Sequence, residues 1–143
     1  MEAPAAKGYE FFDHTADVGI RASAPTLAEL CQAMAQGLVE LIAEDSPLQP
    51  TITRRIELTA EEPSQLLWKW LDAVLLWFEA DRFLPVEYHL ETATETSLRG
   101  SVRGGTFDPK QHAQGREVKA ITRHQLQVEP RDGVWHGQVI VDI

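Results

Sequence analysis

Three stretches of the chain concentrate side chains able to hold ions or move protons. They are Asp13-His-Thr-Ala-Asp17; Phe107-Asp-Pro-Lys-Gln-His112 continuing to Gly115-Arg-Glu-Val-Lys-Ala-Ile-Thr-Arg-His124; and Asp142-Ile143. Asp17, Asp142 and the terminal carboxylate of Ile143 would together offer three anionic oxygen groups with no thiol among them. That is the ligand chemistry of hard cations, Ca²⁺, Mg²⁺ or Mn²⁺. Carboxylates gathered so closely repel one another unless a cation or a shared proton intervenes. Zinc calls for imidazole or thiolate, and only His14 is near in sequence, so zinc is disfavoured. Each stretch also has a plainer reading. A His–Asp pair in a turn is usually a local hydrogen-bonding arrangement, His112, Lys119 and His124 suit a solvated surface, and a terminal Asp is commonly a charged edge residue.

Several reaction classes find no support. The chain has no Gly-rich phosphate loop with Lys-Ser/Thr, no G-x-S-x-G nucleophile and no H-E-x-x-H zinc motif. Gly100, Gly104 and Gly105 do not precede a helical pattern, and no nucleophile–base pair can be named. The sequence therefore gives poor support for an autonomous enzyme. A metal-dependent hydrolase or nucleotide-binding enzyme using the same acids stands as the alternative.

The elements that must position these residues follow from periodicity. Residues 9–12 and 18–24 read as short strands flanking the interruption at 13–17, with Val18, Ile20 and Ala22 alternating with Gly19, Arg21 and Ser23. Thr26-Leu-Ala-Glu29 is a capping-box pattern, and Leu27, Leu30, Cys31, Met34, Leu38, Leu41 and Ile42 line one face of the helix it opens. Residues 51–59 alternate as a strand in which Arg54 interrupts the inward face. Glu61-Glu62-Pro63 starts a second helix running to about Ala80, with Leu67, Trp70, Leu71, Val74, Leu75 and Phe78 as its core stripe. After Pro85 the period becomes two, and strands are expected at 86–92, 96–103, 118–128 and 134–143, with a polar loop at 104–115. The pattern predicts an α/β two-layer sandwich, a mixed or antiparallel sheet carrying two long helices on one face, in one domain spanning 1–143.

Bulk properties narrow the partners. The 143 residues carry 22 acids against 13 Lys plus Arg, a formal net charge of −9 that would repel a phosphate backbone. Stable direct nucleic-acid binding is not expected, whereas a basic protein surface or metal cations suit the field. Cys31 is the only cysteine, which excludes an internal disulfide and a multi-thiolate zinc site, and its apolar helical setting implies an inert buried thiol. Residues 1–8 contain no apolar run of the kind a signal peptide requires. The apolar run 66–78 includes Lys69 and Asp72 and falls short of the roughly 20 residues a membrane span needs. A cytoplasmic location is the expectation. On the second helix, Trp68, Asp72 and Leu76 trace a face of their own. Most such tryptophans are half-buried, and the alternative is a contact with a partner or with a second copy of the chain as a homo-oligomer.

The three polar stretches also carry a family resemblance. Tyr9-Glu-Phe-Phe-Asp-His-Thr-Ala-Asp-Val-Gly-Ile-Arg-Ala22, then the segment from Phe107 through His112 to His124, then Val139-Ile-Val-Asp-Ile143 are similar to the archease family over essentially the full chain. One departure is Ala113, where a proline is expected after His112. Archeases are small α/β accessory proteins of the RNA ligase RtcB that promote its guanylylation in RNA splicing or repair. The resemblance implies a metal site at Asp17, Asp142 and Ile143, with His14 and Lys119 as functional neighbours, and a role assisting the ligase rather than catalysing a reaction. Lys119 is expected to contact ligase or nucleotide phosphate, and His124 to be structural.

Overall fold

The computed structural model describes residues 8–14, 17–45 and 47–143, with the main chain only at Asp13 and His14. The chain forms β1 (Tyr9–His14), β2 (Asp17–Ala24), α1 (Leu27–Ile42), β3 (Ile52–Thr59), α2 (Pro63–Asp81), β4 (Phe83–Ala93), β5 (Ser97–Thr106), β6 (Ala120–Ile121), β7 (Gln127–Arg131) and β8 (Val134–Asp142). Two helices and antiparallel strands match the expected class. The strands are divided between two sheets. One has the order β1-β2-β8-β6, with β7 also pairing β8, and the other has the order β3-β5-β4.

Local chemistry accounts for the helix starts. The Thr26 hydroxyl accepts the Glu29 amide at 3.1 Å and donates to the Glu29 carboxylate at 2.9 Å. The cap thus closes through the threonine hydroxyl, where the usual box returns the carboxylate to a backbone amide. Pro63 opens α2 at the position where a missing N–H costs nothing. Arg54, out of place on an inward strand face, is answered by an ion pair to Asp81 and by the Phe83 ring 4.3 Å beneath its guanidinium.

Both helices touch both sheets. α1 packs on β1, β2 and β8 and also on β4, while α2 packs on β3, β4 and β5 and also on β6 and β7. A hydrophobic cluster joins them, with Ile20, Met34, Leu38, Trp70, Leu71, Val139 and Val141 almost fully enclosed. Trp70 donates its indole N–H to the Cys31 carbonyl at 2.8 Å, satisfying one polar group of each helix inside that cluster.

Two strand boundaries differ from the periodicity. β4 begins at Phe83, ahead of Pro85, because β4 is an edge strand with a register shift between Pro85 and Glu87, where a missing N–H is tolerated. Opposite Pro85 stands Gly104, whose missing Cβ would lie 2.0 Å from the Leu84 carbonyl oxygen. The strand expected at 118–128 is two short strands separated by a turn in which Gln125 takes φ 55. His124 therefore sits in a turn, and strand alternation says nothing about its direction.

Candidate functional site

Four strands end together at one margin of the larger sheet. In the register of that sheet His14 pairs with Asp17, Asp17 with Asp142, and Asp142 with Ala120. The Lys119 amide donates to the Asp142 carbonyl at 2.7 Å, so the residue before β6 joins the same margin. Residues separated by more than a hundred positions thus meet in one row: β1 brings His14, β2 Asp17, β8 Asp142, and the approach to β6 brings Lys119.

Alternation sets the direction of the two acids. Val18, Ile20, Val139 and Val141 are buried toward the helices, so Asp17 and Asp142, displaced by one residue from Val18 and Val141, project from the opposite face. Direct cross-strand partners place their Cβ atoms about 5 Å apart, and like charges there are destabilising. Among the described residues, no Lys or Arg side chain lies within ion-pair distance of either carboxylate. Both acids are half-exposed, as is Ile143, whose side chain packs against the core cluster. The same face carries an apolar patch nearby: Phe12 lies across Gly19, and Ile140, paired with Gly19, is fully buried.

Among the described residues, no three His, Cys, Asp or Glu side chains come together as a metal cluster. Asp17 and Asp142, as register partners, would supply two carboxylates to such a set. A third oxygen would come from a backbone carbonyl or from a terminal carboxylate at Ile143; the Asp13 carboxylate and the His14 imidazole lie outside the described residues.

The middle polar stretch divides into a strap against α1 and an exposed end at Lys119. Gly115 and Arg116 donate their amides to the Ile42 and Leu41 carbonyls at 2.8 and 2.7 Å, closing the open end of α1. A Cβ on Gly115 would fall 2.2 Å from the Leu41 oxygen, which requires glycine there. His112 accepts the Asp108 amide at Nδ1, 2.9 Å away, and packs on the Phe107 ring, so it shapes the loop. Phe107 and Val118 are buried under the strap, and Lys119, next in the chain, is exposed. A cavity of about 300 Å³ opens between this strap and the end of α2, lined by Phe78, Arg82, Phe107 and Arg116 among others, and neither Asp17 nor Asp142 reaches it.

Trp68 settles differently from an open patch. It is half-buried, donates its indole N–H to the Ile121 carbonyl at 2.7 Å, and is covered by the Arg123 guanidinium 4.1 Å from its ring centroid. Of the residues on that face only Leu76 is strongly exposed, at 54%. Sequence reasoning missed the contact with Ile121, because nothing in local spacing relates residue 68 to residue 121.

The whole described fold, from β1 through β8, falls within a match to the Archease protein family (MTH1598/TM1083) over residues 9–143. The chain belongs to the archease family. A protein archease from Methanosarcina mazei is 32% identical over 141 residues, covering 96% of this chain and 97% of that one. Another from Sulfurisphaera tokodaii is 29% identical over 136 residues, covering 94% and 98%. The solution structure of Methanobacterium thermoautotrophicum protein 1598 superimposes with a TM-score of 0.81 at 31% identity, covering 96% of this chain and 99% of that chain. The crystal structure of a Thermotoga maritima archease, described as a "possible chaperone", gives a TM-score of 0.68 at 21% identity over 100% of this chain and 98% of that chain, a likeness of fold. The archease fold thus supplies the frame on which the four strand ends meet.

Proposed function

We propose that this archease-family protein is a non-catalytic accessory factor that activates the RNA ligase RtcB by promoting its metal-dependent guanylylation, in tRNA splicing or RNA repair. The observation that carries the reading is the direct pairing of Asp17 with Asp142 at a sheet margin, two like charges with no basic partner among the described residues. A divalent cation, Ca²⁺, Mg²⁺ or Mn²⁺, relieves that repulsion, and oxygen ligands suit those ions. Asp17 and Asp142 would hold it, joined by the Ile143 carboxylate in a chain that ends there; when bound, the ion supplies positive charge for nucleotide phosphates. Lys119 and His14 stand at the two ends of the row, and an exposed Lys119 would meet an anionic group of the ligase complex. The net charge of −9 favours docking beside a basic, RNA-binding surface of the ligase over contact with RNA itself. No helix of the described residues is long and apolar enough to cross a membrane, and a single buried thiol suits a cytoplasmic setting.

The test compares the native protein with Asp17→Asn, Asp142→Asn, Lys119→Ala and a form with one Gly appended after Ile143. Calorimetric titration with each cation and ligase guanylylation at matched folded concentration are the readouts. Both Asn variants should bind cation at least about tenfold more weakly, since each removes one charged ligand, and should lose ligase stimulation. Lys119→Ala should keep cation binding and lose stimulation. Undiminished cation affinity and stimulation in Asp142→Asn would overturn the reading, and turnover of a nucleotide by the protein alone would favour the stand-alone hydrolase.

A further inference from the structure

We propose that Trp68 is a positioning residue for the cation site, holding strand β6 so that β6 can hold Asp142. The proposal rests on the reading of Asp17 and Asp142 as cation ligands. Strand β6 has two residues and lies at the end of the sheet's strand order, so one of its edges pairs with β8 and the other meets no strand among the described residues. On the β8 side it is fastened at both ends. The Lys119 amide donates to the Asp142 carbonyl at 2.7 Å, and the Thr122 amide and hydroxyl both donate to the Ile140 carbonyl, at 3.0 and 2.8 Å. On its other side, the Trp68 indole N–H takes the Ile121 carbonyl at 2.7 Å.

A two-residue edge strand has too few ladder bonds to stay closed unaided, and sheet margins are where local opening concentrates. α2 supplies the missing partner. Arg123, two residues beyond Ile121, covers the Trp68 ring, and Asp72, one helical turn along α2, faces the Arg123 charge. The turn after β6 is therefore gripped by the same helix face that caps its carbonyl. The path runs Trp68, Ile121, Lys119, Asp142. The links are the indole-to-carbonyl hydrogen bond, a two-residue step along the chain and one main-chain hydrogen bond. Loosening β6 removes the fastening on one edge of the last rung of β8, leaving Asp142 placed by Asp17 alone.

The experiment uses Trp68→Phe, which keeps an aromatic ring and removes the donor. Amide hydrogen exchange at Lys119 and Thr122 reports on β6 directly, and titration with Mn²⁺ reports on the site. Exchange at these two amides should accelerate about five- to tenfold, the order expected for one lost hydrogen bond. Amides of Leu38 and Val102, remote from β6, should stay as protected as in the native protein. Mn²⁺ affinity should fall severalfold, less than in Asp142→Asn. Should Trp68→Phe fold poorly, Thr122→Val removes a fastening on the β8 side and should produce the same pair of effects. Unchanged protection at Lys119 and Thr122, or lost protection with unchanged Mn²⁺ affinity, would overturn the proposal. If Asp142→Asn itself leaves Mn²⁺ affinity intact, the cation-site reading falls, and the exchange rates alone decide whether Trp68 holds β6.

Discussion

Asp72 shows how a single side chain is shaped by its surroundings. Partial burial pushes its carboxyl above the ordinary carboxylate value, and the Arg123 charge offsets this only in part. A folded-state pKa above the unfolded value means that the folded protein takes up protons more readily. The stability this gives is complete below the unfolded value near 3.9 and is lost as pH rises through the raised folded value. Asp72→Asn cannot ionise and should melt higher than the native protein at pH 7, with the difference shrinking toward zero at about pH 3. A melting-temperature difference that does not depend on pH would refute this origin. At Cys31, burial pushes the thiol up to about 12, which fits the inert core cysteine expected from its helical pattern. His112 was a candidate for chemistry by type and proved to shape its loop through the Asp108 amide. Residue type alone does not separate these cases, since the deciding partner is a backbone group that local sequence does not display.

At the scale of elements, the helices were the most legible parts. Thr26, the apolar stripe from Leu27 to Ile42, and Pro63 are local signals whose cause lies within a few residues. Thr26→Ala should cost about 1 kcal/mol, the usual worth of an N-cap side chain, lowering the melting temperature by roughly 3–4 °C in a chain of this size. Thr26→Ser should recover most of it. No shift in the alanine variant would show that the Thr26–Glu29 pair adds nothing in this context. The strands were less legible. Residues 118–128 alternate like one strand, yet β6 and β7 are separate because residues 122–126 span only residues 139–140 of β8, and the surplus turns out at Gln125. β4 extends across Pro85 because its outer edge needs no donor.

Across the whole molecule, the cation reading has a thermodynamic consequence. A ligand bound only by the folded state stabilises it by about 2.7 kcal/mol at a hundred times its Kd. Mn²⁺ at that excess should raise the melting temperature of the native protein, chelator should reverse the rise, and Asp142→Asn should show neither effect. An equal rise in both proteins would place the ion elsewhere. The sequence by itself determined the α/β class, the two helices, the acidic balance and the three polar stretches, because composition, capping and periodicity act over a few neighbouring residues. Its family resemblance singled out Asp17 and Asp142 together. The tertiary structure alone decided that these acids are cross-strand partners, that Lys119 is tied to Asp142 through its backbone, and that Trp68 reaches Ile121. Those relations depend on strand order and register, which are set when both sheets close on the helices, and no local pattern records them.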